Sequence, residues 1–402
     1  MPNTSSRLHV VDALRGFAIL SIMLLHNIEH FDFYYSPETL PGWMKILDKG
    51  VWDTLFFLFG GKSYAIFALL FGLTFWIQST HQERKGRDFR GRFAWRLALL
   101  LLFGLLNSTF YQGDILMLYA VLGFSLLPVA RLGNRAVFAV ALVLLLQPFH
   151  WVQVIEGLRE PGMKMVDPLS WAYFGKTNEY LSGGSVLNTW FGNLTTGRTA
   201  VILWSWENCR VLQTCALFML GLLAGRLGLF AAGAAQLRLW RRVLVGSAIG
   251  FAALYPSVAL LPRWIPSEAI RRPLTSIGSS WSNLAFMLVL VSGFVLLYQT
   301  RLLHGILEKL APIGRMSLSN YIGQSLVGTT LYYGYGLGLY QYTGATYCLL
   351  IGAGLAAAQL MLSRWWLRHH PQGPLESLWH YATWLRSGQE KAAARPEPVA
   401  AA

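Results

Sequence analysis

The sequence has few charged residues and few cysteines. Asp, Glu, Lys and Arg together make up 13% of the 402 residues, about half the share typical of a soluble globular protein. The spacing of Cys209, Cys215 and Cys348 fits neither a disulfide framework nor a cysteine metal motif. These absences exclude an ordinary soluble domain and a fold held together by disulfides or zinc. The N-terminal residues also lack the pattern of a cleavable signal, so we expect the first apolar segment to be retained.

Long apolar runs occupy most of the chain instead. Hydrophobic residues make up 54% of the sequence, and the runs recur along nearly its whole length. A helix needs about 20 residues to cross a bilayer, so these runs predict an all-α, polytopic membrane protein with a single domain over 1–385. The sequence offers ten candidate spans: 11–30, 52–78, 96–111, 115–130, 136–155, 206–225, 243–261, 274–298, 316–335 and 345–367.

The distribution of Lys and Arg predicts the orientation of these spans. The net charge is +14, and the basic residues concentrate in 81–96, 131–135, 238–242 and the segment from Arg364 onward. With ten spans all four segments lie on one side, which the positive-inside rule makes cytoplasmic together with both termini. Because this charge sits in short loops, we expect contacts with anionic membrane lipids and not with nucleic acid.

Two long connections, 29–50 and 156–198, lie on the opposite side. The second is rich in aromatic and polar residues, which is typical of a folded external loop over a site, and a plain connector is the alternative. The last residues, 386–402, are interpreted as a disordered tail.

The first apolar run carries polar residues at both ends. Asp12 and Arg15 stand near its cytoplasmic end, and His26 and Asn27 near its outer end. At about 100° per residue, Asp12, Arg15 and His26 fall on one face of the helix, with Asn27 beside them. Charged groups in a membrane are costly and usually face the bundle interior. A structural ion pair between Asp12 and Arg15, with an interfacial His26, explains the pattern equally well.

The third and fourth predicted spans repeat this arrangement. Arg96 and Asn107 are eleven residues apart, as are Arg15 and His26, and eleven residues correspond to about 16 Å of helix rise. Asp114 begins the fourth span at the outer end, level with His26 and Asn107. Capping of that span would by itself account for Asp114.

A further cation, Lys62, stands in the second predicted span, which Gly60 and Gly61 interrupt. A lysine in a membrane-length run needs a partner. Asp53 and Asp114 are the candidates for that partner.

The densest polar stripe follows Arg315 at the cytoplasmic start of the ninth predicted span. Its members share an arc of about 100° on the helix: Ser317, Asn320, Tyr321, Gln324 and Gly328. Hydrogen bonding and close packing between helices explain such a stripe as well as ligand binding does. The Arg315 side chain is long enough to reach phosphates of a lipid or of a ligand.

Five segments together resemble the YeiB-type family of bacterial membrane proteins. They occur in order between about residue 8 and residue 385: VDALRGFAILSIMLLHNI, GKSYAIFALLFGLTFWI, GDILMLYAVLGF, APIGRMSLSNYIGQSL and QGPLESLWHYATW. In its first span this family is similar to transmembrane acyltransferases, including the O-antigen acetylases and heparan-α-glucosaminide N-acetyltransferase. In the O-antigen acetylase type a D-x-x-R pair opens that span and an essential histidine closes it. Here the pattern falls on Asp12, Arg15 and His26, and Asn27 matches the asparagine of the YeiB and heparan types.

The sequence departs from the family at two positions. YeiB-type proteins usually have an apolar residue at the position of His26. They often carry a histidine near the outer end of the third span, where this chain has Asn107, with a one-residue gap. Either the histidine has moved between spans, or the two positions are unrelated and the resemblance says less about acyl transfer.

The resemblance implies an acyl-CoA donor, and we expect no metal. We expect a multi-pass protein of the bacterial inner membrane that moves an acyl group, acetyl first of all, from cytosolic acyl-CoA to an extracytoplasmic hydroxyl or amine. The acceptor class stays open among glycan, lipid, peptide and small metabolite, and a homodimer is compatible with the sequence. The expected catalytic residues are His26, Asn27, Asn107 and Asp114. The expected donor-binding residues are Asp12, Arg15, Lys62, Arg96, Arg315, Ser317, Asn320, Tyr321 and Gln324.

In this hypothesis His26 is a general base that Asp114 orients, and Asn27 or Asn107 donates a hydrogen bond to the developing oxyanion. The alternative is a transporter or flippase without covalent chemistry, because polar stripes that face a cavity serve either function. Transporters commonly show internal repeats, and the D-x-x-R pattern does not recur in the second half of the chain. A structural or stress-related membrane protein is a third hypothesis.

Overall fold

The computed structural model describes residues 8–385, and every regular element in that range is helical. The all-α prediction is therefore confirmed. The α-helices are α1 His9–Ile28, α2 Gly42–Phe59, α3 Ser63–Glu83, α4 Arg90–Phe110, α5 Leu116–Leu122, α6 Leu126–Val129, α7 Asn134–Leu145, α8 Pro148–Arg159, α9 Leu169–Phe174, α10 Thr177–Leu181, α11 Val186–Gly192, α12 Arg198–Glu207, α13 Arg210–Arg226, α14 Ala234–Trp264, α15 Glu268–Tyr298, α16 Arg301–Glu308, α17 Ala311–Arg315, α18 Ser317–Tyr332, α19 Ala345–His369 and α20 Pro374–Trp384.

Seven helical segments of the described chain are long and apolar enough to cross a membrane. The number becomes eight if Val186–Glu207 and Arg210–Arg226, which meet at a bend of 71°, form one span. Two further predicted spans correspond to shorter segments, Leu116–Val129 and the 16-residue α18. Several long apolar helices thus support a polytopic membrane protein. The count of ten spans and the cytoplasmic position of both termini stay predictions.

Three predicted spans are broken by residues in the left-handed region. Gly61 (φ 78°) separates α2 from α3, Gln147 (φ 58°) separates α7 from α8, and Cys209 (φ 63°) separates α12 from α13. A left-handed residue cannot continue a right-handed helix, so one helix ends and another begins at each of these positions. The segment 156–198 is folded into short helices α9, α10 and α11. The predicted disordered tail, 386–402, lies outside the described residues.

Glycines allow the central helices to approach backbone to backbone. A Cβ on Gly16 of α1 would lie 2.1 Å from the carbonyl oxygen of Leu310, and one on Gly314 of α17 would lie 1.9 Å from that of Asp12. Helices α3 and α13 meet in the same way, at Gly72 and Gly221. Small residues at such crossings are typical of packing between membrane helices. The first crossing fixes the start of α1 against α17 and thereby brings Asp12 close to the start of α18.

The last helix, α20, closes one end of the bundle. Its Glu376 accepts hydrogen bonds from the backbone N–H groups of Leu318 (2.7 Å) and Ser319 (3.1 Å), and so caps α18. Trp379 donates to the backbone oxygen of Arg96 at 3.2 Å. Next to α20 lie the three predicted cytoplasmic arginines, Arg15 of α1, Arg96 of α4 and Arg315 of α17.

Candidate functional site

A cavity of about 550 Å³ opens where α1 and α4 end and where α3 and α13 begin. We call it the outer cavity, because the predicted orientation puts this end outside. His26 lines it, and its Nδ1 lies 3.0 Å from the hydroxyl of Tyr111 and 3.5 Å from Oε2 of Glu29. The other oxygen of Glu29 accepts a hydrogen bond from Tyr34 at 3.1 Å. An imidazole in contact with a carboxylate and a phenol is suited to proton transfer.

A strained turn brings a second carboxylate, Asp32, to the same imidazole. His30, Phe31 and Asp32 all have left-handed backbones, with φ of 48°, 56° and 63°. Each such non-glycine residue costs about 1–2 kcal/mol. Tertiary contacts hold the turn in this conformation. Thr343 oxygens contact the His30 ring, and Tyr333 donates a hydrogen bond to the Phe31 carbonyl at 2.5 Å. Strain of this kind is common at functional sites.

Gly328 on α18 gives the ring of Phe31 its space. A Cβ at this position would lie 1.9 Å from that ring. We expect Gly328→Ala to displace Phe31, to move Asp32 away from His26 and to destabilise the protein by about 2 kcal/mol, as overpacking does. Gly323→Ala on the same helix is the matched control, since nothing lies within 4 Å of its Cβ position. Thermal unfolding in detergent measures the difference, and equal Tm values for the two variants would refute this role of Gly328.

The Asp32 carboxyl group has an unusual proton affinity. Burial, and then the charge of Glu29, raises its pKa from 3.8 to about 7. Between about pH 4 and pH 7 this carboxyl is therefore protonated in the folded protein but ionised in the unfolded chain. The free energy of unfolding consequently falls as pH rises from about 4 to about 7, because the folded state must ionise a buried carboxyl.

We expect Asp32→Asn to remove this loss of stability at higher pH, because asparagine does not ionise. The free energy of unfolding of the variant minus that of the parent protein should increase by about 2 kcal/mol from pH 5 to pH 8, when the partial exposure of the carboxyl is allowed for. Thermal unfolding of chelator-treated protein at both pH values measures the change. Parallel pH profiles of Asp32→Asn and the parent protein would contradict the raised pKa.

The same three side chains could also ligate a metal ion. Each of His26, Glu29 and Asp32 offers one ligand atom, and these three atoms lie within 4.8 Å of one another. Imidazole and carboxylate ligands suit several divalent cations. The sequence predicted no metal, and this spacing makes a chelator control necessary in every assay of the site.

Asp114 lines the outer cavity but belongs to a separate network. Its carboxylate accepts hydrogen bonds from Asn107 Nδ2 at 2.7 Å and from the backbone N–H of Met117 at 3.0 Å, and the latter caps α5. Arg198 donates to its backbone oxygen at 3.1 Å. Burial raises the pKa of this carboxyl, which lies in the turn after α4, to about 6. The carboxylate that contacts His26 is that of Glu29, whereas the sequence predicted Asp114 for this role.

The two asparagines expected to stabilise an oxyanion have internal partners instead. Asn27 is fully buried, donates to the carbonyl of Met23 at 2.8 Å and accepts from Tyr332 at 3.0 Å. The Asn107 amide is directed at Asp114 and at Ser325. Neither side chain lines the outer cavity. In this structure they position α1 and α4, and the cavity-lining hydroxyl that contacts His26 is that of Tyr111.

A second cavity, of about 290 Å³, lies at the opposite end of α1. We call it the inner cavity. Four of the residues predicted to bind the donor line it: Arg15, Arg96, Arg315 and Ser317. Arg15 pairs with Asp12 at 3.2 Å, as the sequence predicted, and it also donates to Thr74 at 2.9 Å. Three guanidinium groups around one cavity make it suited to a polyanion.

The remaining predicted donor-binding residues lie elsewhere. Asn320 and Gln324 hydrogen-bond to Ser363 and Gln359 of α19, at 3.0 Å and 2.9 Å. Both side chains therefore form hydrogen bonds between helices, which is the alternative to ligand binding that the sequence analysis left open. Tyr321 lines the outer cavity, and its hydroxyl accepts from the backbone N–H of Ile115 at 3.2 Å.

Lys62 has neither of the carboxylate partners that we predicted. Its Nζ lies 3.4 Å from the carbonyl oxygen of Phe56 and near the faces of two phenylalanine rings. Asp53 pairs with Lys49 at 2.5 Å, and Asp114 has the partners described above.

A partition about one helical turn thick separates the two cavities. On α3, Tyr64 lines the outer cavity and Phe67 the inner one, and on α5 the same holds for Leu118 and Tyr119. The buried Tyr119 hydroxyl donates to the carbonyl of Tyr64 at 2.6 Å. A turn of helix rises about 5 Å, which is the thickness of this partition along α3.

Comparisons with known proteins agree with the resemblance seen in the sequence. The family model described as "Protein of unknown function (DUF418)" matches residues 224–386. The chain is 29% identical over 415 residues to the uncharacterized protein YxaH of Bacillus subtilis (strain 168), covering 95% of each chain. It is 28% identical over 422 residues to the uncharacterized protein YeiB of Escherichia coli (strain K12), covering 94% of this chain and 96% of YeiB. No solved structure matches the chain.

Proposed function

We propose that this chain, which matches DUF418 over residues 224–386 and is similar to YxaH and YeiB along its length, is a membrane acyltransferase of the YeiB-type family. The donor is cytosolic acyl-CoA, and the acceptor is a hydroxyl or amine on the extracytoplasmic side of the bacterial inner membrane.

The observation that carries this proposal is the pair of cavities on one axis. The inner cavity holds three arginines, and the outer cavity holds His26 with its two carboxylates. Arg15 and His26 are eleven residues apart on α1, or about 16 Å along the helix. An extended pantetheine arm has a similar length. Phosphates held by the arginines at the mouth of the inner cavity would bring the thioester to His26 through the partition.

The outer cavity supplies the groups that acyl transfer needs. His26 takes the proton of the acceptor as its oxygen or nitrogen attacks the thioester carbonyl. The carbon–sulfur bond then breaks, and His26 returns the proton to the CoA thiolate. Glu29 and Asp32 stabilise the imidazolium, and the Tyr111 hydroxyl donates to the oxyanion.

Filling the outer cavity next to the partition should separate donor binding from transfer. Leu118 lines the outer cavity, and Leu118→Trp should reduce acyl transfer more than about tenfold, since positioning errors near 1 Å already cost about a hundredfold. Its affinity for acyl-CoA should stay unchanged. Val121→Trp, at an exposed position on the same helix, is the control. Transfer at the parental rate in Leu118→Trp would contradict this path.

A transporter is the second candidate, and one feature favours it. The 71° break before α13 lies at the outer cavity, and broken helices at binding sites are typical of secondary transporters. Protein in liposomes with labelled acyl-CoA inside and an acceptor panel outside distinguishes the two. Acylated acceptor supports the enzyme. Movement of unmodified compound across the membrane, with no acylated product, supports the transporter.

A further inference from the structure

The outer cavity contains a cation that the reaction described above does not use. Arg210 is the first residue of α13 and lies directly after the break at Cys209. Its side chain lines the same cavity as Asp32 of the strained turn. The sequence analysis gave it no role, although it stands inside the predicted span 206–225.

Two aromatic rings hold the guanidinium of Arg210 in place. It lies 4.0 Å from the ring centroid of Tyr64 and 4.9 Å from that of Trp204. The Tyr64 hydroxyl is itself bound to Gln213, so its ring has a fixed orientation. Stacking on aromatic faces fixes the plane of a guanidinium and leaves the N–H groups at its edge available.

Those N–H groups have no protein acceptor. Within residues 8–385, Arg210 forms no hydrogen bond and no ion pair. Every other cavity-facing charge in the outer cavity has a partner: Glu29 has Tyr34, and Asp114 has Asn107. Lys62 adds to the positive potential, because it lies close enough to Arg210 for the two charges to repel. Arg210 is only partly buried, so its N–H groups are open to the cavity, where the oxygens of an anionic ligand would replace water as their acceptors.

The outer cavity is therefore bipolar. Arg210 is a positive group of its lining, and Glu29 and Asp32, which group with His26, are negative ones. An acceptor that carries an anion at one end and a protonated amine or a hydroxyl at the other would match both kinds of group. Its nucleophile would then lie at His26, where the reaction needs it.

We propose that Arg210 binds the anionic oxygen group, phosphate or carboxylate, of an acceptor whose amine or hydroxyl faces His26. This inference rests on the proposed function for the identity of the ligand as an acceptor, but not for the binding itself. In the reaction the nucleophile forms the new bond to the acyl carbon, the CoA thiolate leaves, and His26 carries the proton between them. The anion stays on Arg210 throughout, which orients the acceptor and keeps it from turning around.

Binding of O-phosphoethanolamine to the full chain in detergent tests this inference. Ethanolamine, which lacks the anion, is the matched probe, and the fluorescence of Trp204 and its neighbours or a thermal shift reports binding. We expect Arg210→Gln to weaken phosphoethanolamine binding about tenfold or more, as the loss of charge-assisted hydrogen bonds does. Ethanolamine binding should not change. Arg263→Gln, at an exposed position near the outer end of α14, should behave like the parent protein.

A second arm distinguishes a lipid from a soluble acceptor. Flotation with phosphatidylethanolamine vesicles that depends on Arg210, when soluble phosphoethanolamine does not bind, identifies a lipid headgroup. Binding of both probes identifies the headgroup chemistry itself. Equal binding of phosphoethanolamine and phosphatidylethanolamine by Arg210→Gln and the parent protein, or no binding of either probe by the parent protein, overturns the inference.

The same variants separate this inference from the proposed function. Acyl-CoA affinity belongs to the inner cavity and should be the same in Arg210→Gln and the parent protein. If the parent protein binds phosphoethanolamine through Arg210 but does not bind acyl-CoA, the acyltransferase proposal fails and the anion site stands.

Discussion

His26→Asn should lower acyl transfer by about 10²–10⁴-fold, the range typical for removal of a general base. The imidazole contacts Glu29 and Tyr111 and faces the outer cavity, which places it to take the proton of the acceptor. Asparagine keeps some hydrogen-bonding capacity but cannot carry the proton. Steady-state transfer from labelled acetyl-CoA to an acceptor panel, in chelator-treated protein, measures the loss.

Two variants show whether this loss is chemical or structural. His81→Asn changes a histidine at an exposed position near the end of α3 and should leave transfer unchanged. Tyr111→Phe keeps the ring packing and removes only the hydroxyl, so that transfer should fall about tenfold with little change in Tm. Parental activity in His26→Asn would remove this residue from the mechanism.

Arg15→Gln should weaken acyl-CoA binding by about ten- to a hundredfold, because charge-assisted hydrogen bonds contribute about 1.5–3 kcal/mol. Arg15 lines the inner cavity together with Arg96 and Arg315. The effect should shrink as salt concentration rises, since partly exposed charges are screened. Equilibrium binding of acetyl-CoA in detergent at low and high salt measures both changes.

Thr74→Val distinguishes a donor site from a purely structural pair. Thr74 accepts a hydrogen bond from Arg15 at 2.9 Å, so the variant loosens the arginine while keeping its charge. If Arg15 binds phosphate, Thr74→Val should affect acetyl-CoA affinity far less than Arg15→Gln does. Unchanged affinity in a folded Arg15→Gln protein would exclude the donor role.

Helical periodicity predicted the parts of the site that lie within one helix or at matching ends of several. The contact between Asp12 and Arg15 follows from their i, i+3 spacing. The gathering of Arg15, Arg96 and Arg315 follows from their common position at predicted cytoplasmic ends. Glu29 carried a signal of the same kind, since it stands three residues after His26, and the sequence analysis did not assign it a role.

The rest of the site depends on features that have no local signal. Asp32 reaches His26 only because three consecutive residues without a glycine adopt left-handed backbones, and tertiary contacts alone hold them there. Arg210 faces the outer cavity because the chain breaks at Cys209, inside what periodicity predicts as a continuous span. A helical wheel predicts which face of its helix carries Asn107 or Asn320. It does not predict their hydrogen-bond partners, which lie on neighbouring elements.

The most direct test of the central claim, transfer from one side of the membrane to the other, uses sealed liposomes with protein of uniform orientation. Acetyl-CoA is supplied only on the side of the inner cavity, and a membrane-impermeant acceptor only on the side of the outer cavity. The two cavities predict acetylated acceptor on the outer side and free CoA on the inner side in equal amounts, with no product when both substrates are on one side. Product formed only when donor and acceptor share a side would contradict the account.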